Sequence, residues 1–378
     1  MAERDVRAQL LTHTPWLATV KRARRLREHQ AGPSVLGEPR DRASTAASSL
    51  GQDPRVRHTL RIAIATPSPR GSTHGNRVTA LRWAKLLREL GHRVWIDGEA
   101  ERGRPELLIA LHAWRSAAAI ERHRARNPRL PVATALTGTD LYGEYRERAE
   151  TQRTLALSDR LIVLQPLALA ALASELRAKA RVVRQSARAP ERREPPAAGT
   201  FEVVTVSHLR AVKDPLLPAR AARLLPASSR LRIVHLGGAH DEAWKLAAEQ
   251  EMRENPRYLW LGERRHGEAL QWIARARAFV LSSRSEGSPS SLLEALACGT
   301  PVLATRIDGA VASLGRRHPG LFEVGDEGAL AELLQRCEAD AAFLARLARR
   351  SRALARLVAP ERERAALRRL LLELVPSA

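Results

Sequence analysis

Residues 279–305 read FVLSSRSEGSPSSLLEALACGTPVLAT, and the fold turns on how this stretch is parsed. The apolar run ending at Ser282 has the character of a strand buried on both faces. A polar loop follows, carrying Glu286 and Gly287. Ser288 is placed to cap a helix and Pro289 to open it: a serine oxygen accepts from free amides, and proline has no amide to leave unsatisfied. Gly299 closes the helix, and PVLAT begins another buried strand. The helix then directs its unpaired amides and the positive end of its dipole at the crevice beyond the strand ends, which makes an anion site. Glu286 and Glu294 flank those amides, eight residues apart. Carboxylates accept from hydroxyls and amides donate to phosphate. The pattern suits a ligand with hydroxyl groups on both sides of a diphosphate, with Gly287, Ser288, Ser290 and Ser291 as further contacts. Taken singly, Glu294 reads equally as an exposed helix residue and Glu286 as a solvated loop charge.

Outward from this unit, short apolar runs alternate with helical segments in both directions. LRIAIAT, HRVWID, PELLIALHA, LPVATALTG, DRLIVLQP and ARVVRQS form one series; FEVVTVSHL, LRIVHLGG, YLWLG, AFVLSSR and PVLATR form a second. RVTALRWAKLLRELG, between the first two runs, is an amphipathic helix closed by Gly91. The series meet at ARAPERREPPAAGT, residues 187–200, rich in Pro, Arg and Ala. Strands separated by crossover helices imply an α/β chain of two doubly wound, Rossmann-like domains, over residues 58–190 and 200–358. Residues 1–57 lack periodicity and carry a Gly-, Ser-, Pro- and charge-rich run, so they are expected to be a disordered extension.

Composition narrows the function. The 378 residues carry 63 basic and 41 acidic side chains, a net charge of +22, which favours anionic partners. Yet only five of the basic residues are lysines, and arginine is spread along the whole chain rather than clustered. Aromatic residues are 4% of the chain, which leaves little for base stacking, so nucleic acid is not the expected partner. No run of apolar residues is long enough to span a membrane, and the N-terminal basic cluster follows its apolar patch, the reverse of a secretory signal. Two distant cysteines, Cys298 and Cys337, form neither a disulfide framework nor a zinc site. A cytoplasmic protein without a metal is expected.

Ligands of doubly wound sheets bind at the carboxyl ends of strands. There the chain places TPSPRGSTHGNRVTA, residues 66–80, after its first strand. Gly71 and Gly75 permit close backbone approach to a ligand, and Arg70, Ser72, Thr73, His74, Asn76 and Arg77 supply donors. The following helix points its positive end the same way. His112 and Asp140 also follow strands; His112 is a candidate proton shuttle or ligand contact, and Asp140 is either an acceptor contact or a turn cap.

The 279–305 stretch resembles the donor site of GT-B glycosyltransferases of the large retaining family 4, whose signature is a Glu pair of this spacing before an EALACGTPV-like helix end. LGERRHGEALQWIARARAFVLSS and FEVGDEGALAELL resemble the flanking segments of that family. The resemblance implies two domains facing a central cleft and a last helix, in 359–378, packing back on the first domain. It implies a UDP-sugar donor, with Glu286 on the transferred sugar, Glu294 on the ribose and Gly71 near the donor. The basic pair in SHLRAVKDP, Arg210 and Lys213, would neutralise the departing diphosphate, with His112 near the sugar. A narrower resemblance, over about 60–370, is to the selenosugar synthases of selenoneine biosynthesis. It implies transfer of N-acetylglucosamine or glucose to selenophosphate, a dianion held by Arg70, Ser72, His74, Asn76, Arg77 and Asp140, and a functional link to a selenophosphate-supplying enzyme. Where those synthases have an EGGANVVSEA-like segment this chain has EGSPSSLLEA, which puts the sugar in question. The alternative within the same class is an ordinary hydroxyl acceptor on a saccharide, lipid or small alcohol.

Overall fold

Aliphatic and β-branched runs too short for helices pair into two parallel sheets. The first contains β1 (Arg61–Ala65), β2 (Arg93–Ile96), β3 (Leu107–Leu111), β4 (Val132–Leu136), β5 (Arg160–Val163) and β6 (Ala180–Val182), in the order β2-β1-β3-β4-β5-β6. The second contains β7 (Phe201–Val206), β8 (Leu231–Leu236), β9 (Tyr258–Trp260), β10 (Ala278–Leu281), β11 (Val302–Thr305) and β12 (Leu321–Phe322), in the order β12-β11-β10-β7-β8-β9. The computed structural model describes residues 58–72, 74–98 and 103–376. The extension expected over residues 1–57 and Thr73 of the first loop lie outside them.

The two-domain α/β architecture expected from the sequence is present. Each expected apolar run forms a strand; only the two-residue β12 has no counterpart in the sequence reading. Winding reverses between β1 and β3 in the first sheet and between β7 and β10 in the second. These are the topological switch points, where diverging crossover helices leave a crevice. The loops after β1, β3, β7 and β10 therefore carry the candidate site.

Helix Gly75–Glu89 covers the first sheet through Ala80, Trp83, Ala84 and Leu87, all buried, and Gly91 ends its turn at φ +92°. Helix Pro360–Leu374 packs Leu367, Leu370 and Leu371 into the same cluster, with Ile62, Ile64 and Trp83. Burying each of these leucines contributes about 1.5–3 kcal/mol, which holds the C-terminal helix on the first domain. One carboxylate locks the joint. Glu363, 1% exposed, accepts from Trp83 Nε1 at 2.6 Å, Arg82 Nε at 3.0 Å, the Ser186 amide at 2.8 Å and the Ser186 hydroxyl. A buried carboxylate is tolerated only when so fully paired. Cys298 and Cys337 are free, buried thiols, pushed up to about 11 and about 12 chiefly by burial.

One local expectation shifts. The helix after β10 runs Ser290–Cys298 with Pro289, not Ser288, in the capping position, and no side chain caps it. The Pro289 carbonyl accepts from the amides of Leu292 at 3.1 Å and Leu293 at 3.2 Å. Proline in extended geometry (ψ 103°) ends the loop as effectively as it would open the helix. Gly299 closes the helix at φ +68°, as its type requires.

Glu363→Ala is expected to cost about 3–5 kcal/mol, because it strands a half-buried guanidinium and three further donors. The denaturant midpoint measures this; a loss below about 1 kcal/mol would mean that the leucines alone hold the helix.

Candidate active site

The loop after β7 turns through a single 3-10 turn, Ala211–Lys213, and leaves it at Asp214, which has φ +42°. Asp214 is held there by Arg284 at 2.7 Å and Arg220 at 3.2 Å. This fixes Lys213 against the loop after β10. The Lys213 ammonium pairs with Glu286 Oε1, which also accepts from the Ser283 hydroxyl at 2.8 Å. Ser282 Oγ donates to the Lys213 carbonyl at 3.0 Å. Glu286 and Lys213 are each about 15% exposed at the side chain (14% and 15%), so the pair lies low in the crevice rather than on open surface. Oε2 of Glu286 has no partner among the described residues and is the oxygen open to a ligand hydroxyl. Arg210 is exposed at the start of the same turn.

Glu294 lies on the far side of the helix start. Its Oε1 is 2.8 Å from His266 Nε2, and this hydrogen bond is the main cause of a raised His266 pKa. Ser288, Ser290 and Ser291 are half-buried between the two carboxylates, and Gly287 is buried. A Cβ built on Gly287 would stand 2.6 Å from the Thr137 carbonyl oxygen and 3.2 Å from the Gly138 nitrogen. One built on Gly138, at φ +152°, would meet the Gly287 nitrogen at 3.6 Å. The two domains thus touch backbone to backbone beside Glu286, and only glycine at 287 allows it.

On the first domain, Arg70 and Gly71 are exposed, Gly71 at φ +81°. Ser72 Oγ lies 2.7 Å from His74 Nδ1 and accepts from the His74 amide at 3.1 Å, a small ring of contacts that sets the imidazole at the helix start. Asn76, the second residue of the following helix, is half-buried. Arg77 departs from the open-loop expectation: at 5% exposure it is enclosed with the first turn of its helix, as the apolar face of that helix demands. Asp140 takes the turn-cap role of the two expected for it. Its Oδ1 accepts from the amides of Thr137 and Gly138, both at 2.9 Å, and its Oδ2 from that of Ala113 at 2.8 Å. A 2% exposed carboxylate satisfied by three amides joins the β3 and β4 loops and is not offered to an anionic ligand. Gln165 and Gln185 donate internally, to Tyr142 and Thr79, although Gln185 Oε1 has no partner among the described residues.

His112 sits at φ +72°, a conformation that costs a non-glycine residue energy and collects at functional sites. Its Nδ1 accepts from the Arg115 amide at 3.4 Å, which leaves Nε2 as the donor towards Thr139 Oγ1 at 3.0 Å. Burial lowers its pKa, against the opposing pull of Asp140, so it is neutral at pH 7. The sequence reading missed His208. Its ring lies 5.6 Å from that of His74, from the opposite domain. Burial lowers its pKa first, then His74, while Glu263 opposes and Arg210 and Lys213 add to the lowering. Its place at the end of β7, matching that of His112 at the end of β3, was the available signal.

Residues 188–354 match the family model described as glycosyl transferases, group 1. Most of the second domain is thus similar to that family. Among curated proteins the chain is similar to a D-inositol 3-phosphate glycosyltransferase of Pseudarthrobacter chlorophenolicus, 32% identical over 138 residues. That stretch is 35% of this chain and 32% of the relative, so the match spans about a third of the relative's length. Among solved structures, Anabaena Alr3699/HepE in complex with UDP and glucose aligns at TM-score 0.67 and 16% identity, over 83% of this chain and 100% of that one. Sucrose-phosphate synthase from Thermosynechococcus elongatus aligns at TM-score 0.67 and 16% identity, over 85% and 100%. These likenesses establish a shared GT-B fold. Glu286 and Glu294, both within the matched residues, stand at the mouth of the β7/β10 switch point.

Gly287→Ala is expected to destabilise the protein by about 1–3 kcal/mol, because two backbones must part to admit one methyl group. Gly75→Ala, where an added Cβ meets nothing within 4 Å, is expected to stay within about 0.5 kcal/mol of the parent. Equal effects in thermal or chemical unfolding would contradict the close crossing.

Proposed function

We propose that this protein transfers a sugar from a UDP-sugar to a small anionic nucleophile, selenophosphate, to give a 1-selenosugar. The observation that carries the transfer reading is the Lys213–Glu286 pair beside the amides of a helix start, with Glu294 beyond it. One carboxylate for the sugar, positive groups for the diphosphate and one carboxylate for the ribose stand in the order that a nucleotide sugar presents them. UDP and glucose in the Anabaena protein of the same fold support that donor class. The phosphorylated compound in the name of the curated relative supports an anionic acceptor. Selenophosphate itself rests on the resemblance of residues 60–370 to the selenosugar synthases.

In this reading the ribose displaces His266 on Glu294, and a sugar hydroxyl donates to Glu286 Oε2. Lys213, Arg210 and the amides of Ser290 and Ser291 stabilise the charge that builds on the departing diphosphate; removing one such donor typically costs about 10²–10³ in rate. The bond from C1 to the diphosphate oxygen breaks, its electron pair leaves with UDP, and a selenium lone pair forms the new C1–Se bond. Water then cleaves the P–Se bond and releases phosphate. An anionic selenium nucleophile needs no base, which fits a neutral, hydrogen-bonded His112. Transfer is proposed to be metal-independent, with the cationic side chains in place of a divalent ion, and to occur in the cytoplasm beside an enzyme that supplies selenophosphate. No helix among the described residues is long and apolar enough to cross a membrane.

Mass spectrometry of the protein with selenophosphate and UDP-N-acetylglucosamine or UDP-glucose is expected to show UDP and a sugar with the selenium isotope pattern. UDP released without a selenium product would point to a hydroxyl acceptor instead. Glu286→Gln should lower turnover by about 10²–10³-fold; full activity in that variant would remove Glu286 from the site. The raised His266 pKa gives the sign of a pH effect. Below it, a charged imidazole holds Glu294; as pH rises through it the proton leaves and the carboxylate is released to the ribose. UDP affinity should therefore increase as pH is raised above the ordinary imidazole value and lose that dependence in His266→Ala, as titration calorimetry at several pH values would reveal.

A further inference from the structure

The loops after β3 and β4 carry a group of side chains that neither the donor site nor the first loop uses. Trp114 and Tyr145 stack with ring centroids 4.3 Å apart and planes 10° from parallel. The Arg148 guanidinium lies 5.0 Å from the Trp114 centroid and 5.4 Å from that of Tyr145, and the Arg115 guanidinium lies 5.5 Å from the Tyr145 centroid. Tyr145 also meets the His112 ring edge-on at 5.5 Å. Both arginines are exposed, and neither has a carboxylate partner among the described residues; the neighbouring Glu147 is paired with Arg146. An aromatic face fixes a guanidinium plane without using its N–H groups, which leaves two donor forks set for an oxyanion.

Position separates this cluster from the first loop. His74 of the β1 loop faces His208 of the β7 loop, whose neighbours are Arg210 and Lys213, so the first loop stands on the diphosphate side. Thr137 and Gly138 of the β4 loop touch Gly287, next to Glu286. Thr139 bonds His112, and His112 meets Tyr145. The cluster is therefore linked by direct contacts to the side where the sugar would sit.

We infer that Trp114, Arg115, Tyr145 and Arg148 form an anion-binding platform beside His112 that holds the acidic end of the acceptor. The anion site stands on its own geometry; its assignment to the acceptor rests on the transfer reading. The platform, rather than Arg70, then decides which nucleophile is accepted. Its ligand class is a small phosphate-like dianion, read by planar donor forks.

The test is calorimetric titration of the full chain with inorganic thiophosphate and, separately, with UDP. The parent protein is expected to bind thiophosphate, and Arg115→Gln with Arg148→Gln to weaken that binding at least tenfold while UDP affinity stays within twofold. Retained UDP binding reports that the variant is folded, and Arg148→Lys, which keeps charge but loses the fork, should fall between. With a turning-over acceptor, the double variant should raise the acceptor KM and leave the donor KM unchanged. No thiophosphate binding by the parent, unchanged binding in the double variant, or complete loss in Arg70→Gln alone would each overturn the platform. Absent UDP binding with thiophosphate still bound would instead remove the transfer reading and leave the platform standing.

Discussion

The site depends on one close passage of backbone past backbone. Gly287, which follows Glu286, lies against the carbonyl of Thr137 with no room for a side chain. Everything that must act together converges there: Glu286 and its lysine on one side, and on the other the β4 loop whose Thr139 and Asp140 secure His112 and Ala113. A larger residue at 287 would hold the two halves apart and lengthen every distance that a shared ligand has to bridge. Gly309 repeats the device from behind, since a Cβ there would stand 2.8 Å from the Glu286 carbonyl oxygen. The glutamate is thus enclosed by two glycines, and its backbone has little freedom to move.

Several polar groups of the crevice are already paired before any ligand arrives. Lys213 rests on Glu286, His266 on Glu294, and His74 on Ser72. Such pairing lowers the cost of holding like charges near one another and keeps side chains in the geometry that a ligand needs. A ligand must then exchange partners rather than collect loose charges, and a polyhydroxylated diphosphate can satisfy both members of each pair at once. Asp140 shows the contrast. Its carboxylate is fully consumed by three amides, and its contribution is the shape of two loops.

Much of this was legible in the sequence because buried parallel strands announce themselves as apolar runs and a glycine-terminated helix announces its end. The carboxylate pair was legible because its spacing brackets a helix start. Contacts between distant segments were not. Nothing in APERERAALRRLLLEL marks Glu363 as the partner of Trp83, since on a helix wheel it looks like any other charge beside an apolar stripe. The Trp114–Tyr145 stack joins residues from two loops, and its arginines are lost among many others in the sequence. Arg77 misled for the opposite reason: it lies in a polar stretch, yet it falls on the side of its helix that faces inward. Ser288 lost the capping position to a proline whose fixed φ suits the last extended residue as well as the first helical one.

The chain passes between its two domains twice. The outward passage leaves β6 through Ser186 and Ala187, and the return enters helix Pro360–Leu374 after Val358; the Ala187 amide donates to the Val358 carbonyl at 2.9 Å. Two crossings bonded side by side act as a two-stranded strap. A single strand would let one domain swivel freely on the other, whereas a strap flexes easily about one line and resists twisting about its own length. The two crossings therefore help hold the loops that meet at Gly287 in one register. Glu363, one short turn beyond the strap, anchors it to the first sheet, so alignment at the mouth of the crevice is governed from its far end.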